Sequence, residues 1–82
     1  MKGSIFMNKP RRKELQSILD QLQELQGALE AIKDDEEEYR DNMPENLQGS
    51  ERYEKADEAC SNLDEAISNV ETAVEYIEVA TE

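Results

Sequence analysis

From Leu15 onward the apolar residues of this chain step by three and four: Leu15, Ile18, Leu22, Leu25, Leu29 and Ile32, then Tyr39 and Met43. With Leu15 labelled a and Ile18 labelled d these are strict heptads, and Glu36 is the one polar residue on the seam. Such a stripe predicts a long amphipathic helix over about residues 9–43. Asn8, ahead of Lys9 and Pro10, supplies an N-cap, proline being tolerated in a first turn. Pro44 ends the run, because its ring disfavours helical backbone in the residue before it. A second run repeats the period through Tyr53, Ala56, Cys60, Leu63, Ile67, Val70, Val74 and Ile77. It predicts a second helix over about residues 50–81, capped by Ser50. At 1.5 Å per residue both helices come to roughly 45–50 Å, so their lengths match.

An antiparallel pair sets an a residue of one helix against a d residue of the other. If the chain reverses about Asn46, Leu15 meets Ile77, Leu22 meets Val70, Leu25 meets Ile67, Ile32 meets Cys60 and Tyr39 meets Tyr53. Two unrelated helices would not satisfy that pairing at every layer. The expected fold is all-α, an antiparallel two-helix hairpin of coiled-coil type forming one domain over residues 9–82. A flexible tail is expected at residues 1–8 and the bend at 44–49. Within the bend, Gly49 is expected to allow the reversal and Leu47 to fold over the tyrosine layer.

A second stripe implies a second copy. Ala59, Ala66, Ala73 and Ala80 recur every seven residues at g, while Ala28 at g and Leu19 at e widen the apolar face of the first helix. One partner helix needs only a and d, so a broader face calls for another neighbour. These six residues are the expected contacts of a homodimer in which two hairpins make a four-helix bundle. The alternative, that alanine only raises helix propensity, leaves the seven-residue period unexplained.

Composition points the same way. Eighty-two residues make one small domain, and with 37% hydrophobic residues, one Phe and no Trp a lone copy has a thin core. The net charge of −12, from 21 acids against 9 bases, argues against binding a nucleic-acid backbone or an anionic membrane. Its distribution is uneven. Lys2, Lys9, Arg11, Arg12 and Lys13 precede the first acid, Glu14, leaving four bases against all 21 acids in the remainder. Cations at a helix N-terminus and anions at a C-terminus both oppose the macrodipole. An antiparallel hairpin brings Arg11–Lys13 beside Glu75, Glu78 and Glu82, so each offsets the other; near the bend, Glu37 can likewise meet Lys55. A single cysteine excludes an internal disulfide and suits a reducing compartment. No stretch reaches the length of a membrane span, and the expected location is the cytoplasm.

Little here suggests catalysis. There is no His, and Cys60 sits mid-seam opposite Ile32 with no base to activate it, which is the setting of a small core hydrophobe. No enzyme, cofactor or metal is expected. The acidic run Asp34–Glu38 lacks the loop that curls oxygen ligands round a calcium ion, and consecutive helical residues point in all directions. It reads as a solvated face, with Glu30, Asp34, Asp35, Glu37 and Glu38 as candidates for meeting a protein partner. Tyr39 with Tyr53, and Arg40 with Arg52, would cluster at the bend. That cluster is either the end layer of the seam or a stacking and phosphate-contacting patch.

The segment EEEYRDNMPENLQGSERYEKADEACSNLDEAI resembles short acidic proteins of Gram-positive bacteria and their phages. Those share a PENLQ-x-SE-RYE-like bend between two helices, often after a basic start such as NKPRRKEL here. The resemblance implies a helical hairpin from a phage or prophage setting and carries over no functional residues. Three functions stay open: a self-associating interaction module with an acidic surface for a protein partner, an acidic inhibitor that mimics nucleic-acid phosphates on a basic host protein, and a small-ligand binder at the Tyr/Arg cluster.

Overall fold

A computed structural model describes residues 8–82. Asn8 has extended backbone (φ −67°, ψ 158°), and its side-chain oxygen accepts a hydrogen bond from the Arg11 N–H at 3.0 Å. Pro10 follows in the first turn of α1 (Lys9–Asp41), where a missing N–H costs no helical bond. The Asn42 N–H still reaches the Glu38 carbonyl at 2.9 Å, but Pro44 has no N–H and disfavours helix at Met43, so α1 stops. A short 3-10 turn, Glu45–Leu47, is closed by the Leu47 N–H on the Pro44 carbonyl at 2.8 Å. Ser50 then caps α2 (Glu51–Ala80): its hydroxyl accepts from the Tyr53 N–H at 3.3 Å and donates back to the Leu47 carbonyl. Glu51 and Glu54 in the first turn suit the positive end of the α2 dipole.

The role expected of Gly49 falls to other residues. No described residue has a positive φ, and a Cβ added at Gly49 would meet nothing within 4 Å. Pro44 and the 3-10 turn reverse the chain without left-handed backbone. The tail expected at residues 1–8 lies, except for Asn8, outside the described residues.

The molecule measures 68 × 15 × 12 Å. End to end, helices of 33 and 30 residues would together exceed 90 Å by roughly 1.5 Å per residue, so they lie side by side. Two long helices, with no strand among the described residues, make the hairpin.

The seam of α2 is the predicted one. Ala56, Cys60, Ile67 and Val74 are buried, and Tyr53, Leu63, Val70 and Ile77 half-buried. The seam of α1 is not. Its covered residues are Leu15, Leu19, Leu22, Gln26, Leu29, Lys33, Glu36 and Arg40, with Met43 just beyond the helix; Glu37 beside them is also half-buried. The spacing is still four and three, but it joins the a row to the e row instead of the d row. The expected d residues stand outside: Ile18 is 44% exposed, Leu25 59%, Ile32 56% and Tyr39 47%. Relative to the prediction α1 is turned by about 50° around its axis, half of the ~100° between successive residues.

Two ion pairs accompany the turn. Lys33 Nζ lies 2.8 Å from an Asp64 oxygen, and Arg40 Nη1 lies 2.9 Å from an Asp57 oxygen. Lys33 and Arg40 occupy the e row of α1, where their methylene stems cover the seam while the charged heads reach its rim. Both pairs are symmetric about the Gln48–Gly49 bond, whereas the predicted pairing was symmetric about Asn46. The expected pairing of Glu37 with Lys55 is not among the ion pairs of the described residues.

The displaced seam makes opposite claims for neighbouring positions. Leu19→Ala should lower stability by about 2–3 kcal/mol in urea unfolding, through the cavity it leaves. Gln26→Leu should raise it by about 1 kcal/mol, because a half-buried amide gives way to an apolar side chain. Small, equal effects at both positions would contradict this seam.

Candidate interaction surface

The rows that flank the seam divide the hairpin into two unlike sides. Along one side of α1 run Ile18, Leu25, Ile32 and Tyr39. The α2 row on the same side begins at Arg52 and continues at intervals of seven through Ala59, Ala66, Ala73 and Ala80. Tyr39 and Arg52 line one open cleft together with Glu36, Glu51, Lys55 and Ala56, which places the two rows next to each other. Ala59 and Ala66 are half-buried and Ala73 and Ala80 exposed, so the α2 row is a shallow floor beside larger side chains of α1.

The opposite side is acidic. Asp57, Asp64, Glu71 and Glu78 recur every seven residues on α2. Asp64 and Glu71 line a cleft of ≈ 460 Å³ with Glu30, Lys33, Asp34, Ile67 and Ser68. Lys33 is the cation in that lining, and its charge is already engaged by Asp64. The hydrogen bond to Asp64 raises the Lys33 pKa above the usual lysine value. Arg40 is likewise raised, first by its bond to Asp41 and further by Asp57. Among the described residues no group of three or more His, Cys, Asp or Glu side chains converges as metal ligands do.

Leu19 is 3% exposed and packs within the hairpin, so it is unavailable to a second copy; the turn of α1 carried it inward. Ala28 is exposed, and Ala59, Ala66, Ala73 and Ala80 lie on the apolar side. The five acids separate. Glu30 and Asp34 join the acidic cleft, Glu37 is half-buried at the seam, and Asp35 and Glu38 line a different cleft at the bend. That bend cleft, ≈ 410 Å³, is completed by Tyr39, Asn42, Met43, Pro44, Leu47 and Arg52. Leu47 does reach the Tyr39 side of the bend, but at 38% exposure it is a wall of the cleft. The Tyr/Arg cluster does not form as a unit. Arg40 is committed to Asp41 and Asp57, and Tyr53 is half-buried at the start of α2 and does not line the bend cleft.

Sequence reasoning missed the acidic row Asp57, Asp64, Glu71 and Glu78 and the solvent-facing role of Ile18, Leu25 and Ile32. A signal for the first was present. Lys33 and Arg40 are seven residues apart, and so are Asp57 and Asp64, a spacing that makes two successive rungs of opposite charge across one seam.

No protein-family model, curated protein or solved structure matches this chain. No helix of the described residues is long and apolar enough to cross a membrane.

Cys60 is buried in the α2 seam, on the bend side of its midpoint. Burial pushes its thiol pKa up, and the carboxylates of Glu37, Glu36 and Asp57 push the same way, while Arg40 opposes them. A thiol raised in the folded state contributes stability at pH values below its unfolded pKa of about 8.5, and that contribution fades as pH rises above it. Cys60 should therefore react with a thiol reagent far more slowly in the folded protein than in denaturant, and Cys60→Ala should flatten the loss of stability above pH 9. Rapid labelling of the folded chain at neutral pH would contradict the burial.

Proposed function

We propose that this protein is a non-catalytic interaction and assembly module. It self-associates through its apolar side into a four-helix bundle and offers its acidic side to a basic protein partner. The observation that carries the reading is the segregation of the surface. Large apolar side chains stand in solvent at seven-residue spacing on one side of the hairpin, and carboxylates at the same spacing occupy the other. A helix that only needed solubility would not expose Ile18, Leu25 and Ile32 in one row. A row of carboxylates on a rigid rod suits recognition of a cationic surface, because charge of one sign steers a partner of the other and fixes its orientation. The bend cleft is a weaker basis for function, since its one arginine, Arg52, is accompanied by Asp35 and Glu38.

Sedimentation equilibrium tests the first half: the expected mass is twice 9.4 kDa at micromolar concentration, and a single-chain mass up to millimolar concentration would overturn it. For the second half, the expected behaviour is capture of a basic protein from lysate that weakens steeply with salt. Changing Glu30, Asp34 and Glu71 to Lys should abolish capture and leave the dimer mass unchanged. Capture that survives those three changes would remove the acidic side from the account.

A further inference from the structure

We infer that the apolar side of the hairpin, formed by Ile18, Leu25, Ile32 and Tyr39 beside the alanine row of α2, is covered by a second copy of this chain lying antiparallel, with the bend of each hairpin against the open end of the other. The inference rests on the self-association proposed above and adds the face, the occupant and the orientation.

Area comes first. A compact monomer of 9.4 kDa exposes about 5,000 Å², whereas this chain exposes 6179 Å². The excess, on the order of 1,000 Å², exceeds the ~800 Å² per partner that a standard interface buries. Ile18, Leu25, Ile32 and Tyr39, between 44% and 59% exposed, offer apolar surface to such an interface.

Symmetry comes second. The row from Ile18 to Tyr39 is centred between Leu25 and Ile32, close to Ala28. The row from Ala59 to Ala80 is centred between Ala66 and Ala73. The ion pairs, being symmetric about Gln48–Gly49, set Ala28 and Leu29 beside Ser68 and Asn69, so both centres lie at nearly the same height along the rod. A two-fold axis across the rod at that height returns each row onto itself. Leu25 then lies against Ile32 of the second copy, and Ala66 against Ala73 of the second copy. An isologous contact of this kind closes at two subunits, and the alanines let the two α2 helices approach closely.

Charge decides the orientation. At the open end of the rod Lys9, Arg11, Arg12 and Lys13 are offset by Glu75, Glu78 and Glu82. At the bend Asp34, Asp35, Glu38, Asp41, Glu45, Glu51 and Glu54 outnumber Arg40, Arg52 and Lys55. Antiparallel hairpins lay the acidic bend of each copy over the balanced open end of the other. Parallel hairpins would instead stack the two acidic bends on each other, which is unfavourable.

The experiment uses the full chain in a Cys60→Ser background, with Ala28→Cys as the cross-linking variant. Next to the two-fold axis, position 28 should meet its own counterpart and oxidise to a covalent dimer in the fraction that sediments as a dimer. In a parallel bundle the two α1 helices lie diagonally, too far apart for the Cα separation of about 4.4–6.8 Å that a disulfide needs. A second variant, Leu25→Glu with Ile32→Glu, should stay helical and weaken the dimer by upward of about 100-fold, because it buries unpaired carboxylates. A dimer that resists the glutamates, or one that forms without cross-linking at position 28, overturns this inference and leaves self-association standing. A chain that remains monomeric without any substitution overturns both.

Discussion

A helix pair can bury one two-row seam on each helix, and this chain supplies more apolar rows than that. The first helix carries leucines and isoleucines on both its a and d rows, with Leu19 on a third. The second carries a, d and a row of four alanines. One row of the first helix must stay outside, and the row that lies along the seam is the one whose cations pair with the second helix. With the first helix turned, Lys33 and Arg40 reach Asp64 and Asp57 from a row that lies along the seam. The turn carries Leu19 in and Ile18, Leu25, Ile32 and Tyr39 out. Exposed ion pairs contribute little to stability, and the turn leaves four large apolar side chains outside for the one it brings in, so the outer row needs cover of its own.

From that choice the rest follows. The hairpin core becomes narrow and partly polar, with Gln26, Lys33, Glu36 and Arg40 among its covered residues. The d row and the alanine row end up on one side, and the carboxylates Glu30, Asp34, Asp64 and Glu71 on the other. A lone hairpin built this way is short of buried surface and carries a ready apolar face, which is why we read it as one half of a larger bundle. The same geometry leaves the seam cysteine, Cys60, as packing and commits Arg40 to carboxylates, so neither is available for other chemistry.

Much of the backbone was legible from local rules. Asn8, Pro10, Pro44 and Ser50 act as the capping and stop residues their chemistry implies, and the α2 seam follows its heptads. The turn of the first helix was not legible from apolar periodicity, because periodicity reports which rows are apolar and not which of them the nearest partner takes. Reading the charges at the same period would have helped, since the Lys33/Arg40 and Asp57/Asp64 spacings already encode the rungs. The bend cluster failed for a related reason. Expecting Tyr39 opposite Tyr53 assumed that Tyr39 faces inward, and the turned helix faces it outward. Gly49 was over-read, because a reversal made by a proline and a 3-10 turn has no left-handed position for a glycine to fill.

Small-angle X-ray scattering in solution tests the central claim, that the exposed rows are an interface and not simply surface. Two hairpins side by side should scatter with the mass of two 9.4 kDa chains and a longest dimension still near the 68 Å of one. The mass of a single chain, or a doubled mass with a doubled length, would contradict it.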